Sequence, residues 1–473
     1  MKFTALLCLC AATLAAQSIR ITSGAMPHQV FQRNDAGKAD ITLSGTAVDG
    51  EGKPVEAKLL RGIVPVFGFT SKKLGVVQNG QWTIKLTNIP TGGPYKLEVK
   101  IGGTKASEAI EDLLVGDIWV LGGQSNMEGV GNLENVQTQD DRVHTFDMVQ
   151  ERWQIAQEPL HNMPGAVDKI HWSLARRTDR LMGPALEDYN KNRKKGAGLG
   201  LPFAVAYAKA SGVPVGLLPC AHGGTSMDQW DPAKWDKAAP GDSLYGSMMR
   251  RFEAAGGKVK GMLWYQGESD AGSKSTPLFK AKFENFIAKV REDFANPNLP
   301  FYFVQIGRHV NTQNVEFWNE VQEIQRLTET TVPNTAVFSA VDSDLDDGIH
   351  VSTPDLKRLG FNMAAWATGK AQRGPRPLEP VVDGSLIKLP FRDVNGKLAS
   401  AGRPSGFTIH APTGEALPVI YKTQIDGSTV LLHIQGKLPE GATLRYGAGK
   451  DPYCNIRDEQ GFGLVVFGPL PLK

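Results

Sequence analysis

Cysteine is scarce: four occur in 473 residues, and Cys8 and Cys10 lie in an apolar N-terminal run, which leaves Cys220 and Cys454. Two cysteines so far apart could pair in an oxidising compartment, but they establish no bond and exclude a disulfide-dense scaffold. HExxH, paired CxxC and the glycine patterns of Rossmann and P-loop folds are missing, so metal, dinucleotide and nucleotide chemistry have no support. Excess charge is missing too. A net charge of +3 does not suggest a nucleic-acid partner, and the one dense basic cluster, KNRKK at 191–195, reads as a solvated loop. Past the N-terminus no apolar run reaches the ~18 residues of a membrane span.

The N-terminus has the layout of a signal peptide over residues 1–16: Lys2, an apolar run over 3–14, then small residues Ala15 and Ala16. The mature protein is therefore expected to be secreted or periplasmic. Its length exceeds what one hydrophobic core supports, so several domains are expected. Residues 17–111 alternate apolar and polar positions between turn signals such as Asn79-Gly80, which predicts an N-terminal β-sandwich-like domain. Over 112–372 short apolar strands (213–219, 259–265, 301–306, 335–339) alternate with helical periodicity (202–211, 243–255, 279–294, 314–328, 353–371). Such alternation predicts an α/β domain with a mostly parallel sheet covered on both faces. Gly374 to Pro377 read as a linker, and 373–473 return to β alternation as a C-terminal β domain.

In an open parallel sheet, sites form at the carboxyl ends of strands. The segment 115–128, VGDIWVLGGQSNME, places Ser125 just after an apolar strand and two glycines. A serine at a strand-to-helix turn suits a nucleophile, although capping the helix is its commonest job there. A nucleophilic hydroxyl needs a base and a group that orients the base. VDSDLDDGIH at 341–350 offers both, since Asp347 lies three positions before His350 with Gly348 between them. The alternating acids Asp342, Asp344 and Asp346 suggest a calcium loop, but Asp347 stands where its glycine belongs and Thr353 where its last glutamate belongs.

Two further segments could supply oxyanion donors: AHGGTS at 221–226 through the amides of Gly223 and Gly224, and WYQGESD at 264–270 through the Gln266 amide. Glu268 is an alternative orienting acid. His222 has no carboxylate at short spacing and reads as a structural or substrate-contacting residue. Trp230 and Arg308 follow strands and are candidate sugar contacts, with structural roles as the other reading.

GGQSNM, HGGTSMDQW, WYQGESD and DGIH occur in this order and resemble the four blocks of the SGNH-hydrolase superfamily, in particular its sialate O-acetylesterase branch, with acetylxylan esterases close by. PHQVFQRN and LLVGDIW before the blocks, and LRYGAGKDPYCNIRDEQGFGL after them, extend the resemblance over nearly the whole mature chain. The superfamily commonly has Asn in the third block, where this chain has Gln266. The resemblance implies an SGNH-type, flavodoxin-like sheet flanked by two β domains. It also implies Ser125 as nucleophile, His350 as base, Asp347 as orienting acid, and the Ser125, Gly223 or Gly224 amides with Gln266 as oxyanion donors. No metal or organic cofactor is implied. The substrate would be an O-acetylated sialic acid, with acetylxylan or another polysaccharide as the alternative, and an inactive carbohydrate-binding protein as the reading from a different class.

Overall fold

A computed structural model describes residues 17–473, and the signal-peptide expectation lies outside the described residues. The chain divides into two compact units, 17–29 with 33–115, and 30–32 with 116–473. In the first unit the strand Lys38–Val48 pairs antiparallel with Ser18–Ser23 and Gln81–Pro90. Its strict alternation turns Ile41 and Leu43 inward, opposite Leu86 and Ile84 of the partner strand. Pro54–Arg61 pairs with Val64–Val76 and Gly92–Ile101 to form the unit's other antiparallel layer.

The second unit is built on seven strands that run side by side in a larger mixed sheet. They are β1 (Ser107–Gly123, through its C-terminal half), β2 (Val143–Phe146), β3 (Trp153–Ile155), β4 (Val215–Pro219), β5 (Gly261–Tyr265), β6 (Phe301–Gln305) and β7 (Thr335–Ser339). The order is β3-β2-β4-β1-β5-β6-β7, parallel except for the antiparallel edge strand β3. β1, β4 and β5 are buried along the whole of their paired lengths, as strands covered on both faces must be.

Six helices follow the strands: α1 (Ser125–Glu128), α2 (Gly200–Ser211), α3 (Leu244–Ala254), α4 (Thr276–Asp293), α5 (Val315–Thr331) and α6 (Thr353–Ala367). Ser243 and Ser352 cap α3 and α6 through their hydroxyls, and Gly212 ends α2 in the left-handed conformation. Register shows that helices cover both faces. Trp119 lies opposite Gly261 and Trp264 opposite Gly122, so the two indoles point to opposite sides of the sheet. Phe203 and Tyr207 of α2 pack on Trp119, while Phe286 of α4 packs on Trp264. The sequence did not predict β2, β3 or the helices Lys169–Leu174 and Gly183–Asn192 that lie between β1 and α2.

The C-terminal β strands fall in the same compact unit as the α/β sheet. Their core of Ile387, Leu389, Val430, Leu432, Leu444 and Val466 includes Val341, from the segment that follows β7. Gln305 of β6 exchanges two hydrogen bonds with the Val466 backbone, at 2.9 and 2.7 Å. Arg376, in the expected linker, is buried in an ion pair with Glu329 of α5. Burial of these polar groups requires their partners, so the strands and the α/β sheet share one interior. Cys220 and Cys454 are both buried free thiols.

Candidate active site

β1 ends where only glycine fits. A Cβ on Gly123, whose φ is +132°, would lie 2.1 Å from the Tyr265 carbonyl oxygen, and one on Gly122 would lie 2.3 Å from Met262 Cε. The turn is pinned by the Gln124 N–H donating to the Tyr265 carbonyl at 2.8 Å. Ser125 then opens α1, and the cap position belongs to Gln124 instead. Gln124 Oε1 accepts from the Ser269 N–H at 3.2 Å, and Asn126 donates to Glu268 at 2.9 Å while accepting from the Val351 N–H at 3.0 Å. The two neighbours of Ser125 therefore tie its turn to the WYQGESD segment and to the segment carrying His350.

His350 Nδ1 lies 2.9 and 2.8 Å from the two oxygens of Asp347. The same carboxylate accepts from the backbone N–H groups of Ile349 and His350 at 3.1 and 2.9 Å, and from Lys195 Nζ at 2.8 Å. Partial burial pushes this carboxyl up, but the Lys195, His350 and backbone hydrogen bonds outweigh it and hold Asp347 well below the usual carboxylate range. An ionised Asp347 fixes the proton of His350 on Nδ1 and leaves Nε2 bare. Lys195 lies in the basic cluster that the sequence suggested was only a solvated loop. Its partner stands more than 150 positions later, so no local pattern discloses it. The other acids of this segment serve the fold: Asp342 pairs with Arg358 and Arg457, and Asp346 accepts from the Asn132 N–H.

The expected oxyanion donors divide into two groups. The N–H groups of Ser125 and Gly224 have no hydrogen-bond partner among the described residues, and Gly224 is exposed. The Gly223 N–H instead donates to Glu128 Oε2 at 2.6 Å, and a Cβ on Gly223 would meet both that oxygen and Ser125 Cβ. Burial pushes the Glu128 carboxyl up. Gln266 differs from expectation: it is fully buried, and its amide nitrogen donates to the Thr225 carbonyl at 3.1 Å and to Asp270 at 2.5 Å. Both amide hydrogens are thereby used, so Gln266 braces the 221–230 segment.

Glu268 contacts Asn126 and not His350; burial pushes it up to about 7. Trp230 is fully buried, with its indole N–H on Thr225 Oγ1 at 3.0 Å, so it is a core residue and not a sugar contact. Arg308 pairs with Asp451 at 2.6 Å and lines a cavity of about 450 Å³ with Asp344, Tyr453 and Asn455. His222 is buried beside the candidate donors and stacks on His171, a residue that sequence reasoning missed.

Ser125 thus stands after the central strand of a parallel sheet, and a separate segment carries a histidine held by an aspartate. Residues 115–368 match the family described as carbohydrate esterase, sialic acid-specific acetylesterase. This is more than half of the chain, and the protein belongs to that family: it is a sialate O-acetylesterase-like carboxylic ester hydrolase acting on acetylated carbohydrates. The chain is 26% identical over 269 residues to a probable carbohydrate esterase of Arabidopsis thaliana, covering 52% of this chain and 88% of that one. It is 25% identical over 362 residues to human sialate O-acetylesterase, covering 66% of each. Among solved structures, a carbohydrate acetylesterase from Xanthomonas citri has the same fold, with a TM-score of 0.63, 22% identity and coverage of 94% of this chain and 99% of that one.

Proposed function

We propose that this chain is an exported SGNH-type esterase that removes O-acetyl groups from sialic acids through an acetyl-serine intermediate. The observation that carries the reading is the grip of Asp347 on His350 Nδ1, which leaves Nε2 as the base. His350 Nε2 takes the Ser125 hydroxyl proton as Oγ attacks the acetyl carbonyl carbon. The free N–H groups of Ser125 and Gly224 receive the oxyanion, and their lack of other partners supports this role. The bond from carbonyl carbon to sugar oxygen breaks, and that oxygen leaves with the proton from His350. Water, deprotonated by the same nitrogen, attacks the acetyl-serine; the bond from carbonyl carbon to Oγ breaks, Oγ takes the proton back from His350, and acetate leaves.

Asp347 is the orienting acid in preference to Glu268, because Glu268 is bonded to Asn126. Family membership supports sialic acid as the sugar. The similarity to a plant protein named only as a carbohydrate esterase favours a second reading, an acetylated polysaccharide such as xylan. The N-terminal run over residues 1–16 supports export. Acetate release from O-acetylated sialic acid and from acetylated xylan, measured side by side, separates the two. Faster release from sialate is expected. Release from xylan alone reassigns the sugar, and release from neither nor from any simple acetyl ester leaves a carbohydrate-binding protein.

A further inference from the structure

His222 ends a buried chain of hydrogen bonds that has a single polarity. Asp168 is fixed by Arg250 at 2.6 and 2.9 Å and by Arg251 at 3.1 Å. Burial pushes the Asp168 carboxyl up, but these two arginines and Ser247 bring it below its ordinary value, so it is an anion and accepts only. The Ser247 hydroxyl donates to Asp168 at 2.7 Å, so its oxygen must accept from His171, whose Nε2 lies 3.1 Å away. Burial, with Arg251 nearby, holds His171 neutral, and a neutral ring protonated at Nε2 has a bare Nδ1. His222 Nδ1 lies 3.1 Å from that atom and must therefore be the donor. Burial lowers His222 to about 4, so this ring is neutral as well and its Nε2 carries a lone pair. That nitrogen has no hydrogen-bond partner among the described residues and is not among the polar atoms sealed from solvent. Next along the chain come Gly223, which touches the Ser125 position, and Gly224 with its free N–H.

We propose that His222 is a substrate-binding residue whose bare Nε2 accepts a hydrogen bond from a free sugar hydroxyl near the acetyl ester, and that Asp168, Ser247 and His171 are positioning residues that hold it in that tautomer. The proposal rests on the esterase reading of Ser125 and adds the chemical group that the site selects. The N–H groups of Ser125 and Gly224 bind acceptors, the carbonyl oxygen among them. A fixed lone pair at His222 instead binds a donor, which a hydroxyl supplies and an acetylated oxygen does not.

The test compares kcat/KM for a mono-acetylated sugar bearing free hydroxyls with kcat/KM for 4-nitrophenyl acetate, which has none. In His222→Phe the ratio of the two should fall about ten-fold, carried by KM for the sugar, as for loss of one hydrogen bond. Ser247→Ala lies outside the site and leaves the His222 ring in place but unlocks its tautomer; the ratio should fall about three-fold, again through KM. Parallel losses on both esters in both variants, with the ratio unchanged, would overturn the proposal; should His222→Phe not fold, Ser247→Ala alone decides. A wild-type protein inactive on both esters would overturn the esterase reading itself, and the proposal with it.

Discussion

His350 and His222 are both held by acids, in opposite ways. His350 is gripped directly by an aspartate three residues earlier, on a turn where the histidine side chain is 21% and the carboxylate 38% exposed. His222 is reached from Asp168 only through Ser247 and His171, and all four are buried. A base that must take and return a proton in each turnover needs a nearby anion to stabilise its charged form, and solvent to make charging affordable. A histidine buried but for one ring nitrogen, with only neutral neighbours between it and its acid, stays uncharged and presents one fixed acceptor. The two histidines differ in their distance to the acid, and not merely in its presence.

Four substitutions press on that contrast. The largest effect is expected on the exposed side. Asp347→Asn should lower kcat by about 10⁴, the cost known when a triad histidine loses its orienting anion, while Glu268→Gln should cost far less. Steady-state rates on a simple acetyl ester decide, and the reverse order would hand the role to Glu268.

An intermediate effect belongs to the buried side. The folded protein holds His222 down at about 4, below its unfolded value, so this histidine contributes stability that is present above about 6.5 and lost as pH falls toward 4. Buried Glu158 and Glu268, raised to about 8 and about 7, act with the opposite sign in an overlapping range, so the net slope of the wild type mixes them. The difference between wild type and His222→Phe isolates the histidine. Chemical denaturation at pH 7 and pH 4 should show the stability gap between the two proteins shrinking by roughly 2–3 kcal/mol at the lower pH. A gap independent of pH would mean that His222 titrates alike in the folded and unfolded chain, and a gap that widens at pH 4 would mean that it is charged in the fold.

The smallest effect concerns Lys195. Its half-exposed contact with Asp347 is weak by nature, yet it shares the charge that would otherwise act on His350 alone. Lys195→Met should move the acid limb of kcat/KM upward, since the Asp347 carboxyl then loses one of the hydrogen bonds that hold it low. A limb that stays fixed or moves downward would remove Lys195 from the site.

How much the sequence discloses follows the same division. The Asp347 and His350 pair is legible because a three-residue spacing across a glycine brings the groups together locally. The strands β4 to β7 are legible because strands buried on both faces read as continuous apolar runs. β2 and β3 are short, and the polar His144, Thr145 and Gln154 interrupt their apolar pattern. Gln266 reads as a donor aimed at substrate because sequence shows an amide but not what consumes its hydrogens, here Thr225 and Asp270. Trp230 follows a strand, as a sugar contact would, yet tertiary packing against Trp264 and Phe286 takes it inward. The Asp168 to His222 chain spans three segments, with Ser247 and His222 far in sequence from the helix start that carries Asp168 and His171, so no spacing rule finds it.

The central claim is that Ser125 carries the acetyl group between the two half-reactions. Rapid quenching with 4-nitrophenyl acetate, followed by peptide mass analysis, tests it most directly. An acetyl adduct of about 42 Da on the peptide bearing Ser125, absent in Ser125→Ala, is the predicted result. An adduct on another residue, or turnover that survives in Ser125→Ala, would contradict it.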